Sequence, residues 1–300
     1  MVSLKASGRT RRRLLVNRIA GGAAVLAAAA AIAVLAVVLW SVGSRGAGAI
    51  NLDFFSKGPS SDFFATSGGG IAPAIVGSLL LVAVATAIAL PVGVLTALYV
   101  SEFASAAIGR QVRLWLDVLN GFPSIVIGIF VFALAVKVKM PLLGIGHHQS
   151  AIAGGGALSI IMLPLVARST MEVLQLVPNH LREASLALGV SKWQTVLRVV
   201  LPTSFGGILT GTTLAVARAA GETAPLLFTC AIAGQLVDWN PTHSVQSIPL
   251  TIFEYSESAN PAQHEQAWAA AFVLIVFVLI TSLTSRLLLE RSRKKLGLSR

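Results

Sequence analysis

Six stretches of this chain, about 19–42, 72–100, 114–136, 151–176, 205–234 and 267–289, are long apolar runs with few charges. A bilayer core is crossed by about 20 apolar residues in helical form, so each run is long enough to span it. Backbone in lipid finds no water and must satisfy its own donors and acceptors, which a helix does within one segment. The runs therefore predict an all-α, polytopic membrane protein with six transmembrane helices. Composition agrees: hydrophobic residues make up 55% of the chain and charged residues 12%, with a mean hydropathy of +0.80. Lipid is the solvent for most of such a chain.

The first run exceeds the roughly 7–15 residues of a signal-peptide core, although Arg11-Arg12-Arg13 precedes it and Ala47-Gly48-Ala49 mimics a cleavage site. It reads as a retained helix. Orientation follows from the cations. Eighteen of the 23 Lys and Arg residues fall on one side: six from Lys5 to Arg18, then Arg110, Arg113, Arg168, Arg182, Lys192 and Arg198, and six from Arg286 to Arg300. The other side holds Arg45, Lys57, Lys137 and Lys139. This excess sets both termini and the loop at 178–202 in the cytoplasm. The net charge of +11 has the same origin and does not argue for nucleic acid. The expected organisation is a basic tail over 1–18, a membrane domain over 19–289 and a second basic tail over 290–300.

Residues 43–71 carry Pro59 and a stretch ending Gly68-Gly69-Gly70, and read as largely irregular. Residues 137–150 carry His147-His148, a weak metal candidate without neighbouring carboxylates or thiols. Residues 235–266 carry Asp238, Glu254, Glu257 and Glu265 but no Lys or Arg. That acidic outer face suits a basic partner, and it equally follows from the exclusion of cations from the outer side. Pro91, Pro123, Pro164 and Pro225 interrupt spans, and Gly207-x-x-x-Gly211 offers a face for close helix packing. Cys230 stands alone in an apolar run, so no disulfide framework exists.

The cytoplasmic loop reads as a lever. Asn179 is placed to cap a helix after Pro178, on which Leu181, Ala184 and Leu188 share one face. Gly189 supplies the left-handed residue that ends it, and Ser191-Lys192-Trp193-Gln194 is a capping box that restarts it. Trp193, Val196, Leu197, Val200 and Leu201 make an apolar stripe, with Pro202 stopping the run.

Arg218 and Glu222 fall near the middle of the fifth run, at i, i+4 spacing on one face. A charge at that depth costs about 2.5–3.5 kcal/mol on insertion scales, so such residues face an interior path or each other. A guanidinium fork fits tetrahedral oxyanions. Glu222 would hold that fork while the site is empty, or take a proton from the substrate. The competing reading is a structural ion pair. No Gly-x-x-x-x-Gly-Lys-Ser/Thr segment occurs, so the chain lacks a P-loop for nucleotide phosphates. No Ser/His/Asp or Cys/His constellation has usable spacing.

Glu183-Ala184-Ser185, three residues, Gly189, nine residues, Val199, one residue, then Leu201-Pro202 resembles the EAA loop of ABC-type importer permeases. Ser185 replaces the second Ala of that pattern and Val199 its Ile. Gly69-Gly70-Ile71-x-Pro73-Ala74-Ile75-x-Gly77-Ser78 is similar to the segment before the second span of phosphate-importer permeases. Asn120-Gly121-Phe122-Pro123-Ser124-Ile125-Val126-x-Gly128 resembles their third-span signature. Arg218-Ala219-Ala220-Gly221-Glu222-Thr223-Ala224-Pro225 resembles their charged fifth-span motif. The likeness covers nearly everything after residue 70 and points to the A-type permeases of the phosphate-specific (Pst) system.

This resemblance implies a type I ABC importer permease (MetI-like) fold in the cytoplasmic (inner) membrane of a prokaryote. Residues 19–289 become the permease domain and 178–202 its coupling loop. The implied partners are a sister permease in a heterodimer, an ABC ATPase dimer and an extracytoplasmic phosphate-binding protein, besides the lipid bilayer. Glu183, Ala184, Ser185, Gly189, Leu201 and Pro202 become ATPase-coupling residues, and Arg218, Glu222 and Thr223 the substrate pathway. The chain would be non-catalytic and hold no cofactor or metal, ATP being used by the partner ATPase. Two alternatives stand: a permease for sulfate or molybdate, and a stand-alone secondary carrier or channel. A carrier would not need an ATPase-docking lever.

Overall fold

The computed structural model describes residues 8–59, 69–138, 149–230 and 236–295. Its first helix, α1 (Gly8–Gly46), is longer than the expected span at both ends and is nearly bare along its apolar length. Only its C-terminal end packs. Gly46 lies against α12 (Pro261–Lys295) so closely that a Cβ there would sit 2.5 Å from the Trp268 carbonyl oxygen. The Arg45 guanidinium stacks 4.9 Å from the Trp268 ring centre.

The stretch expected to be irregular, 43–71, contains a 3₁₀ turn (Ala47–Ala49) and the short helix α2 (Leu52–Ser56). Asn51 caps α2 by accepting the Phe54 backbone N–H at 2.8 Å. That cap seats Phe54 in a buried cluster with Ile71, Ala74, Ile248 and Ala269, which accounts for the order.

The bundle is built around α3 (Ala72–Leu98) and α6 (Ala151–Gln175). Gly77, Leu81, Ala85, Ala89, Gly93 and Ala97 repeat every four residues along α3 and are buried. Leu158, Met162 and Val166 answer them from α6. Helices in lipid gain no hydrophobic drive from touching, so close van der Waals packing between small residues holds this pair together. Gly207 and Gly211 of α9 (Leu201–Ala220) do the same against Val173 and Ser169 of α6. Pro91 and Pro164 sit inside α3 and α6 without ending them.

The third run is not one straight span. It forms α4 (Ala106–Gly121) and α5 (Ser124–Val138), which meet at 97°. Pro123 pushes Phe122 out of the helical region, to φ −68° and ψ 135°. Among the described residues, five other helices are long and apolar enough to cross a membrane, and the bent pair makes a sixth if it is counted as one span. The fifth run also breaks. The helix begun at Lys192 runs continuously to Ala220, Gly221 ends it, and α10 (Leu226–Thr229) follows. Residues 231–234 of the expected span lie outside the described residues. A further helix, α11 (Ile248–Ser256), begins with Ser247 as its cap and donates its Ile248 N–H to the Ser78 hydroxyl at 2.8 Å.

Candidate functional site: the lever over 179–200 and the broken fifth span

The lever is α7 (Asn179–Ala187), a bend at Gly189, α8 (Lys192–Thr195), and a π-helical turn (Val196–Val200) that runs into α9. Gly189 takes φ +79°, the left-handed conformation expected of it. The capping box forms, with the Gln194 Oε1 accepting from the Ser191 N–H at 3.3 Å. Two expectations are corrected. Asn179 does not cap α7: Pro178 occupies the cap position, extended at ψ 139°, and Asn179 Oδ1 accepts from Arg182 instead. Pro202 does not stop the run, because the π-helical turn just before it loosens the ladder where a proline ring would otherwise clash.

Along the lever, Glu183, Ala184, Leu188 and Trp193 are exposed. Leu181 turns partly inward while Ala184 and Leu188 stay exposed, so the three-residue face splits within α7. Ser185 is buried, and its hydroxyl meets that of Thr195 at 2.9 Å. It clamps the two arms of the lever to each other. Val196 and Val200 are buried in the bundle, with Leu201 packed beside them.

Two residues were missed by sequence reasoning. Arg182 enters the sequence reading only through its charge, and Glu102 does not enter it. The Arg182 guanidinium donates to Glu102 Oε1 through Nε at 3.2 Å and Nη2 at 2.9 Å. It also donates to the carbonyls of Val177 at 2.6 Å and Leu174 at 2.9 Å. The available signal is an acidic residue at the C-terminal end of a span.

At the fifth-span break, Arg218 lies in the last turn of α9 and Glu222 beyond its end. They do not share one helix face as expected, because Gly221 closes α9 with its N–H on the Arg218 carbonyl. They still pair, Nε to Oε1 at 3.6 Å, with 51% of the Arg218 side chain and 18% of the Glu222 side chain exposed. The Thr223 carbonyl accepts from Leu226 and Leu227, starting the short helix after Pro225. Gly128 of α5 presses on this break: a Cβ there would lie 2.5 Å from the Pro225 Cα. The bend of the third span and the break of the fifth therefore touch. Arg168 of α6 pairs with Asp117 of α4, the first arm of the bend.

In the loop before α11, Asp238 accepts the Asn240 N–H at 2.8 Å and meets His243 Nδ1 at 2.6 Å. Those two contacts hold its carboxyl below the usual range. His147-His148 lies outside the described residues.

Residues 89–294 match the family described as binding-protein-dependent transport system inner membrane component. The phosphate transport system permease protein PstA of Haemophilus influenzae is 37% identical over 85% of this chain and 87% of its own. PstA 1 of Mycobacterium tuberculosis is 36% identical over 93% of this chain and 89% of its own. Among solved structures, an inward-facing MetNI methionine ABC transporter aligns with TM-score 0.57 at 18% identity, over 74% of this chain and 94% of that one. A bacterial ABC transporter that imports alginate aligns with TM-score 0.57 at 14% identity, over 91% and 99%. These two support the fold: an ABC importer permease bundle.

Proposed function

From the premise that this chain belongs to the family of binding-protein-dependent transport system inner membrane components, we propose that it is the PstA-type permease subunit of an ATP-driven phosphate importer. The observation that carries this reading is its near end-to-end likeness to PstA permeases. The chain is an integral membrane protein whose own bundle is half a pore, and a sister permease supplies the other half. Both termini and the lever face the cytoplasm of a prokaryotic inner membrane, where an ATPase dimer docks.

The residues divide the work. Glu183, Ala184 and Gly189 present the exposed arm of the lever to a groove in the ATPase, while Ser185 fixes the angle between its arms through Thr195. Leu201 and Pro202 carry the motion into α9 without a break. Closure of the ATPase pair on ATP draws the levers together and opens the pore outward, and hydrolysis returns it inward. Phosphate delivered by an extracytoplasmic binding protein passes the fifth-span break. There the half-open Arg218 fork meets its oxygens, Glu222 releases the guanidinium, and Thr223 lines the same turn. The chain binds no cofactor and hydrolyses nothing itself.

Radiolabelled phosphate uptake in cells with and without this chain tests the proposal, together with recovery of an ATPase on affinity purification. Loss of uptake with the chain and a retained ATPase are expected. Uptake of sulfate or molybdate in place of phosphate would move the substrate assignment. Recovery of the chain alone, still transporting, would establish a carrier.

A further inference from the structure

We propose that Arg182 and Glu102 form the joint through which the lever drives the second span, with the turn Tyr99–Phe103 as the receiving element. This rests on the ATP-driven reading above and adds a route for the motion. Along the chain the lever connects only to α6, through Leu176 to Pro178, and to α9, through Val196–Val200. Neither connection reaches α3, so motion must pass to that helix through side chains.

Three contacts converge on the inner end of α3. Arg182 makes its paired bonds to Glu102 while two more of its bonds hold the Val177 and Leu174 carbonyls at the end of α6. One guanidinium thus ties α7, α6 and the second span together. The pair is largely shut away from solvent, with side-chain exposures of 20% for Arg182 and 7% for Glu102. A charge pair in such surroundings is strongly directional, and removing one partner strands the other. From the second arm of the lever, Lys192 Nζ stands 5.3 Å from the centre of the Phe103 ring. Beneath both, Ala97, Leu98 and Val100 are buried with Leu174, Val177, Val196 and Val200. Tyr99–Phe103 is itself a π-helical turn, a form with looser hydrogen bonding that recurs at functional sites. The second π-helical turn, Val196–Val200, lies in the same cluster. Both arms of the lever therefore grip one turn that can yield, and the docking face of Glu183, Ala184 and Leu188 stays free of the joint.

The test uses the whole complex in proteoliposomes with phosphate-loaded binding protein, reading phosphate moved per ATP hydrolysed. Glu102→Gln should retain the ATPase and continue hydrolysis while that ratio falls roughly tenfold, within the range of ordinary coupling energies. Lower yield at an unchanged ratio would mean a merely structural pair and overturn the joint. In a Cys230→Ala background, Glu102→Cys with Arg182→Cys should be uncoupled. A short bifunctional thiol reagent bridging the two should restore the ratio, since the bridged elements again move as one body. A bridge that leaves transport blocked, with the ATPase still bound, would overturn the proposal. A wild-type complex that moves no phosphate would instead overturn the underlying reading.

Discussion

Arg218 Nε stands 3.6 Å from Glu222 Oε1 across the end of α9, with Gly221 closing the helix between them. The arrangement brings a cation and an anion to a break in the backbone, where peptide groups are also released from the helical ladder. Half of the Arg218 side chain is uncovered by this chain. At 3.6 Å the pair is loose, and a charge in a span persists where it faces an interior path or a partner. A role in the pathway uses the same geometry better.

Arg218→Ala should therefore leave membrane abundance and ATPase retention unchanged while phosphate uptake is lost. Arg218→Lys should recover little, because an ammonium lacks the planar fork that meets two oxygens at once. Glu222→Gln should keep normal abundance with altered uptake. Immunoblots of membranes beside radiolabelled uptake decide this, and full uptake by Arg218→Ala would remove the residue from the mechanism.

Gly189 is strained for any residue with a Cβ, yet a Cβ there would touch nothing within 4 Å. Its replacement is a backbone effect alone, worth about 1 kcal/mol or more for Gly189→Val. Gly189→Asn should be tolerated, since Asn adopts the left-handed conformation more readily. The expected readout is weaker ATPase copurification for Val and near-normal copurification for Asn, with both proteins inserted in the membrane. Equal retention by both would show that the bend does not set the docking angle.

Much of this was legible in the sequence, and the losses have causes. The positions of the spans follow from apolar length, and Gly189 and the Ser191 capping box from local chemistry. Pro123 marks an interruption of the third run, but hydropathy adds up along a run and carries no direction, so the 97° angle at Phe122-Pro123 does not follow from it. In the fifth run Pro225 marks an interruption, but the helix ends earlier, at Gly221, a residue that apolar length conceals. Ser185 was assigned by motif position, and its inward turn depends on Thr195, which the motif does not mention. Glu102 and Arg182 lie 80 residues apart, and no local pattern encodes their meeting.

Gly128→Ala tests the contact between the two breaks. Its Cβ would meet the Pro225 backbone, which cannot swing aside as a side chain would. Overpacking of this kind costs about 1–3 kcal/mol, so the purified variant should melt earlier than wild type. Gly156→Ala is the control, since a Cβ at Gly156 meets nothing within 4 Å. Identical melting of both variants would mean that α5 and the break part freely.

Topology is checked by membrane-impermeant thiol labelling of single cysteines in a Cys230→Ala background. Val190→Cys should react only from the cytoplasmic side and Glu257→Cys only from outside. Labelling at 190 from outside would invert the whole arrangement, lever included.

The most direct measurement is ATP-dependent accumulation of radiolabelled phosphate in proteoliposomes that contain this chain, its sister permease, the ATPase and the binding protein. The account predicts accumulation that needs ATP, disappears when this chain is omitted, and is not displaced by sulfate or molybdate. Accumulation that proceeds without ATP, or that persists in the absence of this chain, would contradict it.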